Sequence, residues 1–456
     1  LKGEKMNIGI GKLGKSIAFN HKKWGLVGGD AAPSILFTTL AALNPDINFY
    51  IIGKSDFQKI SSERKEELFP NNNVYDCWEG SVKPKGIRYG RDIPFEYHAT
   101  PLNWIKERDI ELDACLLFNG QTAQVNITNK IEKAKDTELA STLIQMAFYC
   151  GPMLHLLNET NVPLVLVSED PRHIVISGRD LFNREKVVLS QINGVYKRKH
   201  IQSYEKQKPV VYTDINVKYA DTEKIFLVGE NKRDTSNLEK TNLISLFMNG
   251  HGLHSDKSRW PFVKEYIVDQ FEDGMVYGKW NLDKYVPKEY HNRFEATRMG
   301  DMMDKVLATK YTLVVSIMPG FVTCKPWEMI NFGIIPFFHE SYDPKNLLGF
   351  SNDITEPYYS IRYNNEPVSI YEFLNVGSGA EMKRKIEFLE SNPSHYDKLR
   401  DILAEMLKDS YYDGSHINNV MMSHVYESVG KTWETSDKVL PKTFTKISSF
   451  EEQGKK

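Results

Sequence analysis

The stretch CKPWEMINFGIIPFF, residues 324–338, decides how this chain is read. Pro326 has no backbone N–H to lose in a first helical turn, and Gly333 supplies the residue that most readily ends a helix. The spacing therefore predicts a short helix between them. Upstream, the β-branched run YTLVVSIM, residues 311–318, predicts a strand, and IIPFF, residues 334–338, predicts the next. Strand, loop, helix and strand together form the unit of a parallel sheet. The loop PGFVTC, residues 319–324, then crosses the carboxyl edge of that sheet, where open α/β folds bind their ligands. It delivers Lys325 and Glu328 to the first turn of the helix. A glutamate in that place serves either the helix dipole or a ligand bound at that edge, and the spacing alone leaves both open.

Working outward, the same alternation fills the second half of the chain. NLISLFMNG (242–250) and GMVYGKW (274–280) read as strands, with helical patterns near 260–271 and 298–309. The loop HGLHSDKSRW, residues 251–260, puts Lys257 and Arg259 just ahead of a helix. There they are either solvated surface cations or a phosphate clamp. The first half repeats the pattern with strands at 6–10, 47–52, 114–118, 163–167 and 210–213 and a long helix at 137–158. A polar stretch, GENKRDTSNLEK (229–240), separates the two halves, and helices at 381–390, 395–407 and 417–429 close the chain. No internal repeat or low-complexity tract is visible.

Composition narrows the classes further. The chain has 456 residues, 41% hydrophobic and 26% charged, an ordinary globular balance with room for two or three domains. A formal net charge of −2 argues against a general polyanion binder. Cys77, Cys115, Cys150 and Cys324 form no C-x-x-C pair, which speaks against a zinc ribbon and a disulfide framework and fits a reducing compartment. No apolar run reaches membrane-spanning length, no signal peptide is expected, and the residues before Met6 read as a cloning remnant. The expected location is the cytoplasm.

A second motif competes for attention. GIGKLGKS, residues 9–16, satisfies both the triphosphate pattern G-x-x-x-x-G-K-[ST] and the dinucleotide pattern G-x-G-x-x-G. Both need a helix to begin at the last glycine, because helix N–H groups hold the phosphate. The continuation IAFNHKKWGLVGGDAAPS contains Trp24-Gly25 and Gly28-Gly29, which break a helix. The next helix is expected only after Asp30, a good N-cap. Lys54, not an acid, ends the second strand, so a ribose-binding carboxylate is missing as well. A nucleoside-triphosphate binder or a dinucleotide oxidoreductase is thereby disfavoured.

A helix followed by glycine, two aliphatics and proline, as in EMINFGIIPFF, resembles the donor-site element of GT-B glycosyltransferases. With its neighbours, the chain resembles the phage DNA (hydroxymethylpyrimidine) glycosyltransferases within that group. The resemblance implies two Rossmann-like α/β domains with an interdomain cleft and C-terminal helices. It implies an acceptor domain at 6–235, a donor domain at 241–412, and a final helix and tail at 413–456 packed back on the first domain. Glu328 would accept the ribose hydroxyls of a nucleotide-sugar, a UDP-sugar first among them. Lys257 and Arg259, with Lys325, would clamp its diphosphate, and Gly11 and Gly14 would let the backbone approach the donor closely. One departure stands out. Many retaining members carry an acid eight positions before the ribose glutamate, and Gly320 occupies that place here, which leaves the stereochemical outcome open. No D-x-D sequence occurs, so no metal is expected, and no tightly bound cofactor either.

For catalysis the resemblance points to PLVLVSEDPRH, residues 163–173, where a buried strand delivers Asp170 to the sheet edge. Such a carboxylate accepts the acceptor's proton or stabilises positive charge on the sugar, although Asp170-Pro171 is also ordinary turn chemistry. Asp30 is a second candidate and equally a helix cap. Two segments mix cations with aromatics, WEGSVKPKGIRYGR (78–91) with Lys85, Arg88 and Arg91, and VYKRKHIQSYEKQK (195–208) with Arg198. They read either as solvated surface or as loops that follow a phosphate backbone and stack on an extruded base. The expected partners are a nucleotide-sugar and double-stranded DNA, in a phage-infected cell if the chain is viral. A GT-B enzyme acting on a polysaccharide, lipid or small molecule, and a nucleotide-sugar epimerase, share the donor-site pattern.

Overall fold

The computed structural model describes residues 5–11, 32–53, 57, 60–81, 100–119, 156, 160, 162–168, 217–219, 234–235, 237–250, 259–296, 303–315, 325–344, 346, 348–355 and 360–440. The chain divides into two units, Leu1–Ile225 with Asp413–Ile447, and Phe226–Tyr412 with Ser448–Lys456.

In the first unit the strands are β1 (Met6–Gly11), β2 (Ile47–Ile51), β3 (Val74–Asp76), β4 (Ala114–Asn119), β5 (Leu164–Ser168) and β6 (Val217–Tyr219). They form one sheet in the order β3-β2-β1-β4-β5-β6, and every pair is parallel. Strands buried on both faces carry runs of consecutive buried residues, as Ile8, Gly9 and Ile10 of β1 and Phe49, Tyr50 and Ile51 of β2 do. Before β6 the described residues include the helices α1 (Ala32–Leu43), α2 (Ser62–Leu68) and α3 (Thr100–Lys106). Phe37 of α1 meets Phe49 edge-on at 5.8 Å and Phe69 at 5.5 Å, which ties helix to sheet.

The second unit contains β7 (Asn242–Phe247), α4 (Trp260–Val263), β8 (Met275–Tyr277), α5 (Leu282–Tyr285), β9 (Phe294–Glu295), α6 (Met303–Ala308), β10 (Thr309–Val314), α7 (Lys325–Asn331) and β11 (Ile335–His339). A small antiparallel hairpin, β12 (Ser360–Tyr363) with β13 (Glu366–Ser369), precedes α8 (Ile370–Leu374), β14 (Asn375–Val376), α9 (Gly379–Ser391) and α10 (Pro393–Met406). The sheet runs β14-β11-β10-β7-β8-β9, again with parallel pairs throughout. Counted within its own unit, each sheet therefore follows the doubly wound order 3-2-1-4-5-6. The strand order reverses between the first and fourth strands, β1 and β4 in one unit and β7 and β10 in the other, while the strands themselves stay parallel.

The last helix, α11 (Ser415–Ser428), belongs to the first unit, where it packs on α1, β4, β5 and β6. Its Asn418 is fully buried and accepts a hydrogen bond from Asn44 Nδ2 at 2.6 Å. Asn44 Nδ2 also caps the end of α1 by donating to the Leu40 carbonyl at 2.7 Å.

The strands expected at 6–10, 47–52, 114–118, 163–167, 242–250, 274–280, 311–318 and 334–338 are all present, each within a few residues. The expected strand at 210–213 and helix at 137–158 lie outside the described residues. The helix expected over 260–271 is α4 continued by one π-helical turn, Lys264–Val268, in which Asp269 N–H donates to the Lys264 carbonyl at 2.9 Å. No described helix is long and apolar enough to cross a membrane.

Candidate functional site

The carboxyl edge of the second sheet is the place to look, because a crevice opens where the strand order reverses. At that point the loop after β7 leads to α4, and the loop after β10 leads to α7. Arg259 stands at the entry of α4, and Lys325 and Glu328 lie in the first turn of α7.

Beyond β7 and β8 the chains stay zipped together. Met248 N–H donates to the Tyr277 carbonyl and Gly250 N–H to the Lys279 carbonyl, both at 2.9 Å. Asn249 Oδ1 accepts from Lys279 N–H at 2.8 Å, and Trp280 Nε1 donates to the Met248 carbonyl at 2.9 Å. Gly278 makes this closeness possible: its φ is +142°, and a Cβ there would lie 2.2 Å from the Met248 oxygen. Arg259 stands at the entry of α4, and its Nη1 donates to the Asn249 carbonyl at 3.1 Å. The guanidinium is thus fastened to the carboxyl end of β7. Trp260, next in line, packs on Tyr290 at 5.3 Å and Phe294 at 6.1 Å, and Trp280 meets Phe294 at 5.0 Å. These rings wall the edge beside β8 and β9.

Across the reversal point, α7 brings Glu328 in its first turn, only 9% exposed, with the half-buried Lys325 at the helix start. The helix stops as its sequence demands. Gly333 takes φ +68°, and Ile334 N–H reaches back to the Met329 carbonyl at 3.0 Å. Three contacts pin this short helix. Trp327 stacks on Phe350 with 6.0 Å between centroids. Tyr412 donates its hydroxyl to Asn331 Oδ1 at 2.9 Å. Lys240 Nζ donates to the Phe332 carbonyl at 2.6 Å, just past the helix end. Burial, with the nearby Arg400 charge, pulls the Lys240 ammonium down from 10.5 to about 7.

His339 ends β11, the neighbour of β10, on the same edge. Phe262 of α4 meets its ring edge-on at 4.9 Å, and Tyr266 does so at 5.8 Å. Burial lowers its pKa against the opposing pull of Glu340 and Glu265. Sequence reasoning passed over His339. The available signal was a histidine at the end of a predicted strand, two residues before Ser341.

Of the residues expected to hold a donor, Arg259, Lys325 and Glu328 lie on this one edge, and Lys257 lies outside the described residues. In the first unit Gly11 ends β1 opposite Leu117 of β4, at that sheet's own reversal point. Gly14, Asp30, Asp170, Lys85, Arg88, Arg91 and Arg198 lie outside the described residues. Among the described residues, no group of three or more His, Cys, Asp or Glu side chains could hold a metal ion.

No protein-family model matches the chain, and no curated protein matches it. Among solved structures the chain is similar to T4 phage β-glucosyltransferase in complex with its UDP-glucose substrate, at 14% identity over 92% of this chain and 99% of that one, with a TM-score of 0.46. It is similar to Anabaena Alr3699/HepE in complex with UDP, at 10% identity over 91% of this chain and 98% of that one, with a TM-score of 0.39. A third similar structure is the pneumococcal O-GlcNAc transferase GtfA in complex with UDP and GlcNAc, at 11% identity, 73% and 60% coverage and a TM-score of 0.40.

Proposed function

We propose that the chain is a nucleotide-sugar-dependent glycosyltransferase whose second unit binds the donor and whose first unit binds a hydroxyl acceptor. The observation that carries this reading is the placement of Arg259 and Glu328 on opposite sides of the β7/β10 reversal point, at the carboxyl edge of a parallel sheet. A largely buried carboxylate in a first helical turn accepts the paired hydroxyls of a ribose. An arginine across the crevice meets the diphosphate that the same nucleoside carries, and Lys257 adds a second cation on the same loop. As the bond between the sugar carbon and the diphosphate oxygen breaks, its electron pair stays on the diphosphate, and these cations stabilise the growing charge. The acceptor oxygen forms the new bond to the sugar carbon, and its proton passes to a carboxylate, for which Asp170 is the proposed base and Asp30 the second candidate.

The proposed donor is a UDP-sugar, and the proposed acceptor is a hydroxymethylated pyrimidine in double-stranded DNA. Lys85, Arg88, Arg91 and Arg198 would contact the DNA backbone, while Gly11 and Gly14 would face the donor. The support for DNA is the interleaving of cations with aromatics in the two first-half segments.

The test is calorimetric binding of UDP, GDP and ADP, followed by transfer of labelled sugar to duplex DNA with and without hydroxymethylated pyrimidines. Removing the Glu328 charge with Glu328→Gln deletes charge-assisted hydrogen bonds of about 1.5–3 kcal/mol, so UDP affinity should fall roughly 10- to 150-fold. Unaltered UDP binding in that variant would sink the donor site. Transfer to a different hydroxyl acceptor, with DNA inert, would keep the enzyme and replace the acceptor.

A further inference from the structure

The ring of His339 is fixed in one tautomer by its own turn. Ser341 N–H, which can only donate, lies 3.2 Å from Nδ1, and Ser341 Oγ lies 2.7 Å from the same nitrogen. Nδ1 therefore accepts, and the proton of the neutral imidazole sits on Nε2. Among the described residues Nε2–H makes no hydrogen bond. The ring cannot turn away freely, because Phe262 and Tyr266 hold it edge-on from the helix that starts beside Arg259. A donor of fixed direction is thus set at the carboxyl end of β11, one strand from the reversal point.

The surroundings select what it can bind. Glu340 and Glu265 are the charged groups that act on the ring. The Glu340 carboxylate lies beside Gly377 at the end of β14, where Glu381 also points, but Glu381 is engaged by Lys385 Nζ at 2.8 Å and by Gly377 N–H at 2.9 Å. Negative neighbours disfavour a phosphate oxygen at this position. A sugar hydroxyl fits them, since its oxygen accepts from the imidazole while its hydrogen goes to a carboxylate.

We propose that His339 reads the sugar of the donor, its Nε2–H donating to one hydroxyl oxygen of the hexose. The proposal rests on the donor-site reading above and adds a residue that distinguishes sugar from nucleotide. A site built to hydrogen-bond one hydroxyl discriminates against the analogue that lacks it, because the donor covered by the bound sugar is then left unpaired.

The test uses the full chain and compares calorimetric affinities for UDP and UDP-glucose in the wild type, His339→Ala and His339→Gln. One neutral hydrogen bond corresponds to a change of about 3- to 12-fold. His339→Ala should weaken UDP-glucose by that factor and leave UDP within about twofold. His339→Gln, which keeps an N–H near the Nε2 position, should restore most of the loss. Monodeoxy analogues of UDP-glucose, tested on the wild type, should include one that binds as weakly as UDP-glucose binds to His339→Ala. Equal weakening of UDP and UDP-glucose, or no weakening of either, would overturn the role of His339 while leaving the donor site intact. Should His339→Ala fail to fold, the analogue series decides alone, and equal binding of every deoxy analogue overturns the inference. A wild type that binds neither UDP nor UDP-glucose overturns the donor-site reading and this inference with it.

Discussion

Replacing Lys240 with methionine should change how stability depends on pH. In the native chain Lys240 is drawn down to about 7 by burial and by Arg400, while its ordinary value is 10.5. Between those two values the unfolded chain holds a proton that the folded one has released. Stability must then rise with pH across that window, by up to about 1.4 kcal/mol per pH unit. The whole interval would amount to roughly 5 kcal/mol, and because part of the side chain still meets solvent, about 2 kcal/mol is a realistic share. Lys240→Met keeps the aliphatic stem, loses the titration, and gives up the hydrogen bond to the Phe332 carbonyl. Urea unfolding of both proteins from pH 6.5 to 9.5 measures the difference directly. The wild type should gain about 2 kcal/mol on the variant as pH rises. A difference that stays constant, or shrinks, would mean that Lys240 keeps its charge in the folded state and that the Phe332 carbonyl outweighs burial.

Three further outcomes follow from the packing. Gly278→Ala forces a Cβ to within 2.2 Å of the Met248 oxygen and should cost about 1–3 kcal/mol, with weaker nucleotide binding because Asn249 and Arg259 move with that backbone. Trp327→Ala empties a fully enclosed site against Phe350 and Tyr411, so a loss of about 3–5 kcal/mol is expected in the unfolding transition. Asn418→Ala leaves the buried Asn44 amide short of one acceptor and should lower stability by about 1–3 kcal/mol, read most sharply as faster amide exchange in α1 and α11.

The sheet type was legible in the sequence because buried parallel strands demand unbroken apolar runs, as in YTLVVSIM and LVLVS. The helix that carries Glu328 was legible because Pro326 and Gly333 punctuate it. The strands β3, β9 and β14 were not. Each has two or three residues and exists by pairing with a neighbour that propensity does not reveal. The π-helical turn after α4 leaves the apolar spacing almost unchanged, so periodicity passes over it. Lys240 and His339 escaped for a related reason. Lys240 owes its character to a carbonyl on Phe332 and to Arg400, and His339 to rings on Phe262 and Tyr266, all remote along the chain.

The placement of α11 has a consequence for synthesis. The strands and helices of the second unit are complete once residue 412 has left the ribosome, whereas the first unit, begun earlier, still awaits the helix that covers α1 and β4 to β6. Ile417, Met421, Met422 and Val425, the apolar side of that cover, arrive after the described strands and helices of the second unit have been made. At ordinary elongation rates the delay after β6 is roughly 10–40 s. For that interval the nascent first unit lacks the helix that packs on α1 and β4 to β6 in the finished fold, a natural moment for chaperone attention. The unit whose first strand is translated earliest is also the one whose last described helix is translated latest.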